Sequence, residues 1–231
     1  TLIITEEGGS FDWQDSINQV LDAGGLFYIA HPFDRNYAFE NVYSWRGFTG
    51  VEVWNGSWHA SHSNNQKAFE FWDKINIRGD SKYYGIAGTD GHNAQKIGDT
   101  YVRGLLYELS EDNVLKLLGS GQYYGTNGPD LRFSINGVAM GNTLTIKEAG
   151  EVSISFEAFS KDGNLTNVKV LGYPITGKVD DYDKGIVVFE KDLSNENTDY
   201  YSASISTKIT QNMFFRLEVK SENCTPGSVG S

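Results

Sequence analysis

Cysteine is nearly absent. Cys224 is alone among 231 residues, which excludes a disulfide within the chain, and its place in a Ser/Asn/Gly/Pro tail leaves the redox compartment open. Positive charge is scarce as well: 19 Lys and Arg against 30 Asp and Glu give a formal net charge of -11 and a pI near 4.8. Binding a polyanion draws on counterion release by a basic face, so a nucleic acid or an anionic membrane is excluded as a partner. Long apolar runs are missing too. The longest are of strand length, short of the roughly 20 residues that cross a bilayer, and the N-terminus has no basic-then-apolar signal pattern. The expectation is a soluble chain with no targeting segment, its compartment open and an extracytoplasmic one included.

What is present is enough for a core. With 39% hydrophobic and 13% aromatic residues, the chain can bury one large core or two modest ones. The pattern changes near residue 128. Before it, helix and strand periodicities alternate. Asp12 to Ala23 places Trp13, Ile17, Val20 and Leu21 on one helical face, stopped by Gly24-Gly25. Strand-like runs follow at Leu26 to Ala30, Gly50 to Trp54, Tyr83 to Ala87 and Tyr101 to Tyr107. Between them, Asn64 to Ile77 reads as a helix with Ala68, Phe71, Trp72 and Ile75 inward; later, Ser110 caps a helix with Val114, Leu117 and Leu118 on its apolar face. That is repeated βα architecture. Beyond Gly128-Pro129 the period becomes two, in short strands around residues 131–135, 152–156, 168–170, 186–189, 201–205 and 214–218. The expected division is an α/β unit over 1–128, an antiparallel, immunoglobulin-like β-sandwich over 129–225, and a flexible tail over 226–231.

The chemistry-bearing residues gather in the first unit. All four histidines, His31, His59, His62 and His92, lie there. Asp90 and His92 follow the strand Tyr83 to Ala87; two residues apart on extended backbone, they point the same way and can reach one metal. His31-Pro32 ends the strand Leu26 to Ala30 similarly, proline stopping the ladder. Each motif alone also reads as a turn or a packed histidine. Together they predict a metal site, with His31, Asp90 and His92 as ligands. Glu52 and Asn55, at another strand's end, are expected to orient ligands or substrate. His59 and His62 either join that cleft or sit on a solvated loop; Arg35 and Arg103 either hold an anionic substrate group or pair on the surface. Trp54 and Trp58 either wall a pocket or fill the core. Asp180, Asp181 and Asp183 read as a solvated turn before a calcium site. Asn55-Gly56-Ser57, Asn164-Leu165-Thr166 and Asn223-Cys224-Thr225 match the glycosylation tripeptide, a pattern that chance produces often.

In order and spacing, Ala30-His31-Pro32, Gly50 to Gly56, Gly88 to His92 and Gly121 to Pro129 resemble the successive signatures of PHP-domain (polymerase and histidinol phosphatase) metallohydrolases, in their CehA/McbA-like branch. The resemblance covers roughly residues 10–145. It implies the C-terminal part of a distorted (β/α)7 barrel, two to three divalent ions (zinc, manganese or iron), and hydrolysis of phosphoesters, or of carbamate or carboxyl esters, by metal-activated water. It carries His31, Asp90 and His92 over as ligands and Glu52 and Asn55 as site walls; no side chain is assigned a general acid or base role. The family's opening His-x-His strand is missing before His31. The expectation is therefore a fragment completed by an N-terminal segment or a second chain, holding about one metal by itself and acting on a small phosphorylated or ester substrate. The alternative is a non-catalytic truncated barrel whose sandwich binds glycan or protein.

Overall fold

The computed structural model describes residues 12–34, 41–56, 64–91 and 98–222. It is a mixed α/β structure in which most regular residues lie in antiparallel strands. Helix α1, Trp13–Asp22, starts where the Asp12 side chain accepts hydrogen bonds from the backbone N–H groups of Gln14 and Asp15. It ends as the Gly24 and Gly25 N–H groups donate to the carbonyls of Leu21 and Val20. Strands β1 (Tyr28–Ile29), β2 (Gly50–Asn55) and β3 (Tyr84–Gly88) form a parallel sheet in the order β1-β2-β3. Helix α2, Asn65–Arg78, crosses from β2 to β3, capped by Asn64 and closed by Gly79 in the left-handed region. Its buried Phe69, Phe71 and Ile75 join Ile17, Ile29, Val51, Val53 and Trp54 in one core. Each such side chain contributes about 1.5–3 kcal/mol by leaving water.

Two elements are shorter than the periodicity predicts. Ladder pairing in β1 covers two residues, since Phe27 upstream meets Thr49 irregularly: its N–H donates to Thr49 Oγ1 and its carbonyl accepts from the Thr49 N–H. Strand β4 (Tyr101–Gly104) pairs antiparallel with β5 (Tyr123–Thr126), and its partner runs out at Gly104, which faces Tyr123. Beyond that point Leu105, Tyr107 and Leu109 stand at 94%, 103% and 85% exposure. Helix α3, Glu111–Ser120, is capped by Ser110, but Val114, Leu117 and Leu118 are only half-buried on it.

Strands β6 (Asp130–Ile135), β7 (Val138–Ala139), β8 (Gly150–Phe159) and β11 (Tyr200–Ile209) form one antiparallel sheet, in the order β11-β8-β6-β7. Strands β9 (Leu165–Pro174), β10 (Ile186–Asp192) and β12 (Met213–Ser221) form another, in the order β10-β9-β12. Alternate residues of both supply a second core: Val152, Ile154, Phe156 and Ala158 from one, Leu165, Val168, Val170, Leu217 and Val219 from the other. This is a β-sandwich. Helix α2 is tied to it by a buried ion pair, Arg216 Nε and Nη2 donating to the two oxygens of Asp73 at 3.0 and 2.9 Å. Among the described residues no helix is long and apolar enough to cross a membrane.

Candidate metal and substrate site

The carboxyl ends of three neighbouring parallel strands converge, and side chains just inside or beyond those ends share one edge. His31 lies two residues past β1, Asn55 is the last residue of β2, and Asp90 lies two residues past β3. His31 and Asp90 both have positive φ, 28° and 50°. Such backbone costs on the order of 1–3 kcal/mol and concentrates at functional sites.

Glu52 knits the edge together. Its Oε2 accepts from the His31 backbone N–H at 2.8 Å and from the Asn55 side-chain amide at 3.1 Å. Asn55 is held in turn by Asn65, the first residue of α2: the Asn55 N–H donates to Asn65 Oδ1 and the Asn65 amide donates to the Asn55 carbonyl, both at 3.1 Å. The Gly56 N–H donates to the Gly88 carbonyl at 2.7 Å; a Cβ there would lie 2.3 Å from the Thr89 carbonyl oxygen, so only glycine lets the two strand ends close. Burial, above all, pushes the Glu52 carboxyl above its ordinary range, and the Asp90 charge adds to it, while the Asn55 amide, the His31 N–H and the His31 ring pull the other way.

Nδ1 of His31 is buried and has no hydrogen-bond partner among the described residues. Nine in ten or more buried polar groups are paired, and an exception points to an ion, a water or a catalytic role. An imidazole nitrogen beside carboxylates fits a divalent cation of the zinc, manganese or iron kind. Among the described residues, however, no three His, Cys, Asp or Glu side chains gather closely enough to hold a metal ion, so these alone do not compose a metal centre.

Of the residues singled out from sequence, His31, Glu52, Asn55 and Asp90 meet at this edge. His92, His59, His62, Arg35 and Trp58 lie outside the described residues, as do Asn223 and Cys224. Arg103 is elsewhere, half-exposed on β4 and paired with Asp130. Trp54 is a core residue, 7% exposed and tilted against Phe69. Asp181 pairs with Lys184 at 2.9 Å in a short 3-10 turn, Val179–Lys184. Asn55, 1% exposed, is closed to glycosylation, and the Asn164 amide is engaged by Asn197 and Glu222. Sequence reasoning missed Asn65; its signal was an asparagine three residues before Ala68 on the helical face that turns inward. Comparison with protein families, curated proteins and solved structures finds no match to this chain.

Proposed function

We propose that this chain is a metal-dependent hydrolase of the PHP type, with residues 1–128 a partial, distorted (β/α)7 barrel and 129–225 a sandwich attached to it. One observation carries the reading: the buried Nδ1 of His31, without a hydrogen-bond partner among the described residues, set beside Glu52 and Asp90 where three parallel strands end. Ligands in α/β folds bind at that edge. His31, Asp90 and His92 would hold the cation. When bound, it supplies Lewis acidity and a water made acidic near neutral pH. His31 would ligate through Nδ1, which places its N–H on Nε2. Glu52 is a positioning residue: it fixes the strained backbone of His31 through its N–H and orients Asn55 toward the same edge. The charge the site would gather suits a small phosphorylated substrate, with carbamate or carboxyl esters as variants of the same attack by water.

Elemental analysis of the chain beside His31→Ala and His92→Ala, with hydrolysis of 4-nitrophenyl phosphate and bis(4-nitrophenyl) phosphate assayed on the same samples, tests this. The expected result is about one zinc, manganese or iron per chain, lost in both variants. Metal-free protein after growth and reconstitution in all three ions overturns the reading and leaves a scaffold or binding module.

A further inference from the structure

A cavity of about 130 Å³ lies where the two cores meet. Its walls include Trp72 of α2, Tyr84 of β3, Tyr123 of β5, Phe133 of β6, Phe215 of β12, and Met140. We propose that it is a binding site for a neutral ligand of one aromatic ring. Size is the first argument: the pocket is partly open and its lining is mostly apolar, and its volume is close to the roughly 150 Å³ of an apolar cavity that takes up benzene. Chemistry is the second. The Trp72 Nε1–H donates to the Tyr83 carbonyl at 2.6 Å, and the Tyr123 hydroxyl is hydrogen-bonded to that of Tyr28 at 2.9 Å. The guanidinium of Arg216, also on the wall, is taken by Asp73 and Glu218. These polar groups already have partners, so a charged ligand would lose its water and gain nothing in exchange. Ring edges and a thioether, by contrast, are favourable neighbours for an aromatic face. Tyr84 and Gly85 line the cavity at the amino end of β3, whereas Asp90 lies past its carboxyl end, so this site is separate from the proposed hydrolytic one.

The chain has two methionines, Met140 on the wall and Met213 off it, which makes methyl-labelled methionine NMR a local probe. Toluene is expected to shift the Met140 methyl saturably and leave Met213 in place, and to raise Tm by roughly 3–6 °C at ten times its Kd. Benzoate and benzylammonium are expected to do neither. Phe133→Trp, which fills the space and keeps the reporter, is expected to weaken toluene at least tenfold. An unmoved Met140 in the wild-type chain, equal shifts at both methionines, or benzoate matching toluene would overturn the proposal, whether or not the variant folds.

Discussion

Arg216→Met is expected to cost much more stability than Asp73→Asn, although the two residues form one ion pair. The reason is a count of charges. Asp73 is fully buried and the Arg216 side chain is 7% exposed; Arg216 also pairs with Glu218 through Nη1 and lies over the Phe69 ring. One guanidinium therefore serves two carboxylates. Removing it leaves both without a cation in a poorly solvated place, a loss on the order of 3–5 kcal/mol. Removing the Asp73 charge leaves a balanced Arg216–Glu218 pair with an amide oxygen still able to accept, and because the raised Asp73 carboxyl costs stability once ionised, the substitution at pH 7 is expected to lower stability by no more than about 1 kcal/mol, or to raise it. At about 2–4 °C per kcal/mol for a chain of this size, Tm at pH 7 falls by roughly 6–20 °C in the first variant and by no more than about 4 °C in the second.

A pH series separates the contributions. Burial first, with the Glu218 charge adding, pushes the Asp73 carboxyl from 3.8 up to about 6, against the pull of Arg216 and the Tyr173 hydroxyl. Between those values the native chain holds the proton and the unfolded chain does not. The group's contribution is thus complete below 3.8 and is lost as pH climbs through about 6, a change on the order of 3 kcal/mol. Urea melts of wild type at intervals from pH 4 to 7, followed by far-ultraviolet circular dichroism, should show this decline, and Asp73→Asn should remove it. Equal losses from the two substitutions, or an unchanged pH slope in Asp73→Asn, would refute the shared-guanidinium reading.

Gly50→Ala is expected to lower stability by about 2 kcal/mol or more, since its Cβ would stand 2.1 Å from the Tyr84 carbonyl oxygen and force β2 from β3; a melt within 0.5 kcal/mol of wild type, on the order of experimental noise, would contradict the strand spacing. Glu52→Gln, measured in chelator, is expected to raise stability at pH 7, because the amide oxygen can still accept from His31 and Asn55 while the buried charge is gone. That gain should close as pH falls below 4.5, where the unfolded carboxyl also takes a proton; a loss at pH 7 would show that the carboxylate is held ionised by something else.

The order of helices and strands was legible because their apolar periods are clean, and the cap Ser110 was plain in the sequence. Lengths were less so. The inner positions of β11 are only half-buried and its outer ones are polar, and it extends to Ile209 because pairing with β8 continues there, which no local pattern announces. His31 and Asp90 were legible as strand endings. That Glu52 reaches the His31 N–H depends on the register Ile29↔Val51 and on the irregularity between Glu52 and Trp54, neither of which is written locally. The Asp73–Arg216 pair spans 143 positions. Its one local sign was an aspartate between Phe71 and Ile75 on the face of α2 that packs inward.

Where the chain departs from local rules is itself informative. Parallel strands covered on both faces are ordinarily apolar throughout, yet β2 is buried along its whole length and carries Glu52 and Asn55. Positive φ outside glycine occurs, among the described residues, at His31, Asn64, Asp90, Asn136 and Asn197. Asn136 lies in the hairpin between β6 and β7 and Asn197 in the turn before β11, where left-handed asparagine is ordinary. Asn64 caps α2. His31 opens the turn closed by the Asp34 N–H and Asp90, like asparagine, tolerates the left-handed region, but these two sit with the raised Glu52 carboxyl and an imidazole nitrogen that has no partner among the described residues, all at one sheet edge. Folding gains nothing from placing a desolvated carboxylate, two positive-φ residues and a buried nitrogen without a partner among the described residues together. A chain under selection for stability alone would disperse or remove them, and their concentration at one edge is what supports the proposed site there.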